Sequence, residues 1–383
     1  NENFELISKS GFFSTQIARD FTVKIDVKNL EADREYYYRF HFNNNTSPVG
    51  KTKTLPEYSV EKANFAIVSC SNWEHGYFNV YDHISRQEHY DAVIHLGDYY
   101  YEYGAGEYEG ASETNLNRIH SPKHEIITLD DYRLRHAQYR SDNSLQLLTQ
   151  KLPLIAIWDD HETSNDSWKS GADNHDLNEG SWTERTHAAL RAYYEWMPIR
   201  ETNSKLKIWR KFEIGSLFQL FMLDTRSIYR DKQLDMESYF TENGFNKIKY
   251  KKDLIKNRNL VGKEQFDWLD KNISSKFNWS IIGQQVLISP TVLPEIFSKL
   301  DKKFLPEYIH KYLKLGGLEI PFNTDSWDGY PNERDKLFKI LSKSQSNIIL
   351  TGDTHNSWLS NLFNNNKFLG VEIATPSISS PNT

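Results

Sequence analysis

The sequence predicts a layered α/β fold whose strand ends share one crevice, preceded by part of a small β-sandwich. Three observations predict it. From residue 63 onward short apolar runs alternate with helical stretches, and each run stops abruptly at a polar cluster. Before that point the pattern has period two and is dense in aromatics.

In chain order, residues 21–27 (FTVKIDV) alternate apolar and polar side chains, and 36–42 (YYYRFHF) are rich in strand-favouring aromatics; both read as strands. Between them LEADREY, from Leu30 to Tyr36, has the spacing of a tyrosine corner, in which the phenol bonds back to the chain. Only about four strands fit before Pro56, fewer than a whole sandwich needs. Residues 1–56 are therefore predicted as a partial β-sandwich domain and 57–383 as the layered α/β domain. Six apolar runs follow: FAIVSCSN (65–72), DAVIHLGDYYYEYG (91–104), LIAIWDDHE (154–162), LFQLFMLDTR (217–226), WSIIGQQ (279–285) and NIILTGDTHN (347–356). Helices are predicted at 128–150, 182–196 and 333–343. Ligands in such folds gather where strand ends meet. LIAIWDDHETSND (154–166), which drives five acidic or imidazole groups off a buried-looking strand, is therefore one rim of the crevice. GAGEYEGASETN (104–115) is a glycine-punctuated loop that borders it. The charged helix face at 131–140 reads as solvated, with Arg133 or Arg135 reaching the cleft mouth.

Composition narrows the chemistry. The 383 residues carry a net charge of −6 and no basic stripe, which argues against a stable nucleic-acid complex. No run approaches the length of a membrane span, and a monomer is expected. The single cysteine, Cys70, forms no intrachain disulfide and is either apolar filler or a reactive or metal-binding thiolate. The 10 Trp, 22 Tyr and 21 Phe suit a thick core or an aromatic-walled cleft.

Collected together, the strand-end residues are Cys70, Asp98, Tyr101, Asp160, His161, Asp353 and His355. A single His or Asp at a strand end is more often a helix cap or a satisfied loop residue. Four strand-end segments aiming the same chemistry at one place are much less easily blamed on caps. The order GDYYY, DDHE, GDTHN resembles the metallophosphatase pattern GDxx(D/Y), GNH(D/E), GHxH. With SCSN, HLGDYYYEYG, WDDHETSNDSW, LDTR, GQQ and TGDTHN, the chain more narrowly resembles the PhoD-like alkaline phosphatase and phosphodiesterase family, from about residue 20 onward. The resemblance implies a four-layer αββα sandwich of two mixed β-sheets behind a small fibronectin-III-like β-sandwich. It also implies export: a secreted, periplasmic or cell-surface protein.

By the same resemblance Asp98 bridges two metals. Cys70, in place of a usual leading aspartate or histidine, completes the first site with Tyr101 as a phenolate and with His355. Asp160 and Asp353 fall to the second, and His161 is the expected proton donor. A histidine of the commoner pattern is replaced here by Gln284 and Gln285, leaving Gln284 as an amide candidate. Asn72, Asn165 and Asp159 sit beside ligand positions, as candidates for phosphate contact or ligand orientation and equally as turn caps. Arg226 is expected to hold phosphate oxygens, anchored by Asp224.

Donor chemistry separates the two sites without the family. A thiolate, a phenolate, an imidazole and a carboxylate favour Fe3+ over Mg2+ or Ca2+. An all-oxygen set points to Ca2+, with Mg2+ or Mn2+ behind it. The resemblance implies the same iron and calcium pairing, with Zn2+ a further substitute. Cys70, Asp98, Tyr101, Asp160 and Asp353 supply about five negative charges as ligands, which one Fe3+ and one Ca2+ balance. Attracting a phosphate dianion then needs further positive charge: Arg226, protonated His161 or another Ca2+.

Two metals roughly 3.5–4 Å apart share a water, lower its pKa from about 15.7 toward 7, and clamp attacking and leaving oxygens. The expected activity is hydrolysis of phosphate mono- or diesters by in-line attack of a bimetal-bound hydroxide on phosphorus. The rival reading is a carbohydrate-binding or carbohydrate-cleaving protein that reuses the fold; it predicts turnover of sugar polymers and indifference to iron. A non-catalytic binder needs missing ligands, and the one gap in the ligand set is the Gln284/Gln285 position.

Overall fold

The computed structural model describes residues 1–381 apart from 112, 113, 115, 202–205 and 306. Three positions of the 104–115 loop therefore lie outside the described residues. The N-terminal region pairs β1 (Glu35–Tyr38) with β4 (Gly50–Lys53), and β2 (His41–Phe42) with β3 (Asn45–Thr46), as one interrupted antiparallel ribbon. The tyrosine corner is present: the Glu31 amide donates to Tyr36 Oη at 2.9 Å. The strand expected at 21–27 is not found in a ladder. Its polar side chains instead tie the segment to the end of a helix at 182–196: Trp196 Nε1 donates to Asp20 at 3.0 Å, and Lys24 Nζ to the Ile199 carbonyl at 2.8 Å.

Beyond residue 63 each of the six expected runs contains a strand. A parallel three-stranded sheet is ordered β5 (Phe65–Val68), β6 (Ala92–His95), β7 (Leu154–Ala156). A six-stranded sheet runs β14 (Trp358–Asn364), β15 (Lys367–Ala374), β13 (Asn347–Thr351), β12 (Trp279–Gly283), β9 (Phe218–Met222), β8 (Arg210–Ile214). Among the described residues only this larger sheet mixes directions: its two outer strands pair antiparallel and its inner ones parallel. The expectation of two mixed sheets is corrected to one. The small ladder β10 (Phe240–Thr241) and β11 (Gly244–Phe245) stands apart.

Period-two alternation along β9 builds the layers. Phe218, Leu220 and Met222 join the core shared with the small sheet and with α1 (Asn79–Ser85), α2 (Leu129–Arg140), α3 (Asn143–Lys151) and α4 (Trp182–Trp196). Phe221 points the other way, into a core with Ile282, Ile349, α6 (Gly262–Asn272) and α7 (Pro331–Leu341). Helix, sheet, sheet, helix is the resulting order. The helix expected over 128–150 splits because Asp142 caps a new one, accepting from the Ser144 and Leu145 amides at 2.9 and 3.1 Å. A further helix, α5 (Lys247–Leu254), packs in a separate small core around Tyr239 and Tyr250.

Candidate metal centre

The strand-end loops stay bonded to one another after the strands stop. Cys70 N donates to the Gly97 carbonyl at 3.1 Å and Ser71 N to that of Asp98 at 2.8 Å. The rims after β6 and β7 meet at Gly97, where a Cβ would lie 2.4 Å from that of Asp159; its φ of +113° also favours glycine. Buried Glu162 locks this junction by accepting from the amides of Asp98, Tyr99 and Asp159 at 3.1, 2.6 and 2.7 Å. Cys70, Asp98, Asp353 and His355 all take left-handed φ, between 52° and 64°. Four such residues at one place mark a site whose surroundings enforce strain, at about 1–3 kcal/mol each.

Three groups of donor atoms result, each with its atoms within 4.8 Å of one another: Cys70, Asp98 and His355; Asp98, Asp160 and His161; Asp159, Asp160 and Asp353. Asp98 and Asp160 each belong to two groups, so the donors form one continuous chain. Tyr101 joins the first group, its oxygen 3.3 Å from Asp98 Oδ2 and 3.1 Å from His355 Nε2. Cys70 Sγ lies 3.3 Å from the same Asp98 oxygen. His161 stacks on the Tyr101 ring at 4.0 Å and donates from Nδ1 to Glu102 at 2.7 Å, leaving Nε2 as its second polar atom. Glu102 is itself held by the Asn165 amide at 2.6 Å and by Asn174 at 2.9 Å.

The other end is organised by Arg226, whose guanidinium is buried. It bonds Asp159, Asp325 at 2.8 Å and Asp353 at 2.8 Å, with Asp160 at 3.6 Å. Its three nitrogens are thus spent on carboxylates, so the expected grip on phosphate is replaced by charge neutralisation. Asp224 accepts from the Arg226 amide at 2.9 Å and from Trp158 at 3.1 Å, anchoring the backbone and not the guanidinium.

Electrostatics separate the residues. Burial, with Asp98 adding to it, pushes the Cys70 thiol and the Tyr101 phenol up. Burial also raises Asp98 and Asp159, and brings Asp353 to about 7. Asp160 is buried as well, yet Arg226 and His161 hold it at about 2. Burial works against the His161 cation, but Glu102, Asp160 and Asp98 outweigh it and raise that group well above its usual range. Burial lowers His355 to about 4. Metal ions fit this donor set: Asp98 Oδ1, Asp159 Oδ2 and Asp160 Oδ1 are buried without a hydrogen-bond partner, and cations answer such oxygens.

Comparison with known proteins agrees with this geometry. Residues 65–383 match the profile described as PhoD-like phosphatase, and 1–56 that of the PhoD-like phosphatase N-terminal domain. The chain belongs to the PhoD-like phosphatase family. Alkaline phosphatase D of Bacillus subtilis (strain 168) is 37% identical over 395 residues, a match covering 99% of this chain and 62% of that protein. The chain thus spans less than two thirds of the curated relative's length. A solved structure of PhoD superposes with a TM-score of 0.81 at 34% identity, covering 99% of this chain and 69% of the other. The purple acid phosphatase PPD1 from yellow lupin (Lupinus luteus) seeds shares the fold alone: 14% identity, TM-score 0.51, 91% and 51% covered.

Within the family's fold every expected ligand lies in the donor chain, and the neighbouring candidates divide. Gln284 is committed elsewhere: its amide donates to the Val286 carbonyl and to Thr351 at 2.6 and 2.8 Å, and accepts from Trp327 at 3.0 Å. Gln285 braces Thr225 and Leu223. Asn72 caps a turn, accepting from the Glu74 amide at 3.0 Å, while its Nδ2 is buried and unpaired. Arg133 pairs with Glu195 at 2.8 Å, and Arg135 lies buried beneath the cleft loop, donating to the carbonyls of Tyr101 and Tyr103, so neither reaches the mouth. Sequence reasoning missed Glu102, Asp325 and Ser380. Glu102 follows Tyr101 directly in YYYEYG and carried a usable signal; Asp325 and Ser380 lie in loops that resemble any other.

Proposed function

We propose that the chain hydrolyses phosphoric esters with a pair of bound metals: Fe3+ held by Cys70, Asp98, Tyr101 and His355, and Ca2+ by Asp98, Asp160 and Asp353. The observation that carries this reading is the continuous donor chain, soft at the Cys70 end and all oxygen at the Asp353 end. Such a metal pair, when bound, neutralises phosphate oxygens and acidifies water. The chain's own residues do the rest. Asp98 and Asp160 fix the spacing between the two ends. Glu102 orients His161 and keeps it cationic, so that its Nε2 serves as the proton donor to a leaving alkoxide. Arg226 offsets carboxylate charge that otherwise repels a phosphate. Asn72 Nδ2 is a buried, unpaired donor close to Cys70 in sequence and is assigned to phosphate contact. Asp159 orients Arg226, and Asn165 orients Glu102.

Residues 1–56 are taken as a separate N-terminal domain and 57–383 as the catalytic domain, in a monomeric protein exported to the cell surface, periplasm or medium. Among the described residues no helix is long and apolar enough to cross a membrane. The test is metal analysis of the purified protein together with release of p-nitrophenol from mono- and bis-p-nitrophenyl phosphate, before and after chelation. Iron and calcium bound together, and activity lost on chelation, are expected. A single zinc per chain, or activity that survives full chelation, overturns the proposal.

A further inference from the structure

We propose that residues 377–381 form an outer clamp on the Cys70 end of the site, in which the Ser380 hydroxyl donates a hydrogen bond to the Tyr101 oxygen when that oxygen binds ferric iron. The inference rests on the iron assignment above. Ser377 bridges Ser69, Ile378 N donates to the Ser69 carbonyl at 2.9 Å, and Ser379 N donates to the Cys70 carbonyl at 3.3 Å. Ser379 Oγ holds the Asn72 carbonyl at 2.8 Å. The Pro381 carbonyl accepts from His355 Nδ1 at 2.6 Å, which fixes the tautomer and turns the Nε2 lone pair toward Tyr101. One short segment therefore touches three of the four residues assigned to iron.

Ser380 is 6% exposed, with its Oγ 2.6 Å from Tyr101 Oη and 3.1 Å from the Cys70 carbonyl. Proton counting gives the direction of the bond. A coordinated Tyr101 has lost its proton, and its other near neighbours, Asp98 and His355 Nε2, offer lone pairs to the metal. The Ser380 hydrogen is then the one available to the phenolate, and 2.6 Å is the length of a charge-assisted O–H···O bond. Such a donor withdraws electron density from the phenolate. It makes Tyr101 a weaker donor and moves the phenolate-to-iron absorption to shorter wavelength. Ser380 is thus a positioning and tuning residue that acts through Tyr101.

Iron content and visible spectra of the purified protein decide the matter for the unsubstituted chain, Ser380→Ala and Ser380→Thr. Ser380→Ala is expected to keep its iron and shift the band to longer wavelength, and Ser380→Thr, which retains a hydroxyl, to restore it. An unshifted band in Ser380→Ala at equal iron content overturns the proposal. Should Ser380→Ala fail to hold iron, Ser380→Thr decides: iron with the original band supports the hydroxyl's role, and loss of iron there overturns it. An unsubstituted protein that binds iron with no phenolate band overturns the assignment of Tyr101 to iron, a result distinct from an unshifted band.

Discussion

The Cys70 end and the Asp353 end of the donor chain are built on opposite electrostatic plans. Around Cys70 the side-chain hydrogen bonds of the donors run to one another, to Ser380 and to backbone, with no arginine or lysine side chain among them in the described residues. Around Asp353 a buried arginine joins four carboxylates. The consequence shows in protonation at Asp160: burial pushes up Cys70, Tyr101 and Asp98 at one end and Asp159 and Asp353 at the other, whereas Asp160 beside Arg226 and His161 is held at about 2. A buried anionic cluster without an internal cation stays protonated until a cation arrives. The Cys70 end therefore depends on its metal for charge balance, and the Asp353 end carries part of its balance within the chain.

The largest effect that sharpens this contrast is expected from Cys70→Ser, which removes the one soft donor. Iron is lost from the purified protein and turnover falls to the uncatalysed level, while Ca2+ binding at the other end persists. Retention of one iron per chain, read by elemental analysis, breaks the comparison. Next comes His161→Ala, which belongs to neither end but sits between them. Metal content is expected to hold and kcat to drop by about two to four decades, the size of a lost general acid. Loss of metal in that variant moves His161 into the ligand set instead. Third is Arg226→Met, which takes from Asp159, Asp160 and Asp353 the arginine they share, while Asp325 keeps its pairing with Arg230. In the metal-stripped protein this costs about 3–5 kcal/mol, the scale of a broken buried ion pair. In the loaded protein the loss is smaller, because bound Ca2+ replaces the missing charge. Equal losses of urea midpoint in both forms contradict an internal charge balance.

How much of this was legible in the sequence follows the same divide. The Cys70 end was readable because its donors sit within a few residues of strand ends, and an apolar run of four or five residues announces each strand. The Arg226 network was half readable. Arg226 and Asp224 stand together in LDTR, but the guanidinium turns to Asp159, Asp325 and Asp353, which lie 67, 99 and 127 positions away. No local pattern encodes those pairings. The strand misread at 21–27 fails for a related reason. Alternation signals a half-buried extended segment, but a partner strand is a property of the fold and not of the alternation. The tyrosine corner succeeded because both of its partners, Glu31 and Tyr36, are local.

The last expected effect is the one that reverses sign. In the stripped protein burial holds Asp353 at about 7 and raises Asp98 and Asp159 as well, above the ordinary carboxylate value of 3.8 that they have when unfolded. Between pH 4 and pH 7 the unfolded chain has released these protons and the folded chain still holds them. Stability then falls as pH rises, by up to about 1.4 kcal/mol per pH unit for each proton retained. Metal binding inverts the balance. Coordinated carboxylates must be ionised, so the loaded folded state binds fewer protons than the unfolded chain, and stability falls as pH drops. Tm measured at pH 4.5, 5.5 and 6.5 on stripped and loaded protein should slope in opposite directions. Parallel slopes would mean that Arg226 alone keeps these carboxylates ionised, and that the Cys70 end has no special need of its cation.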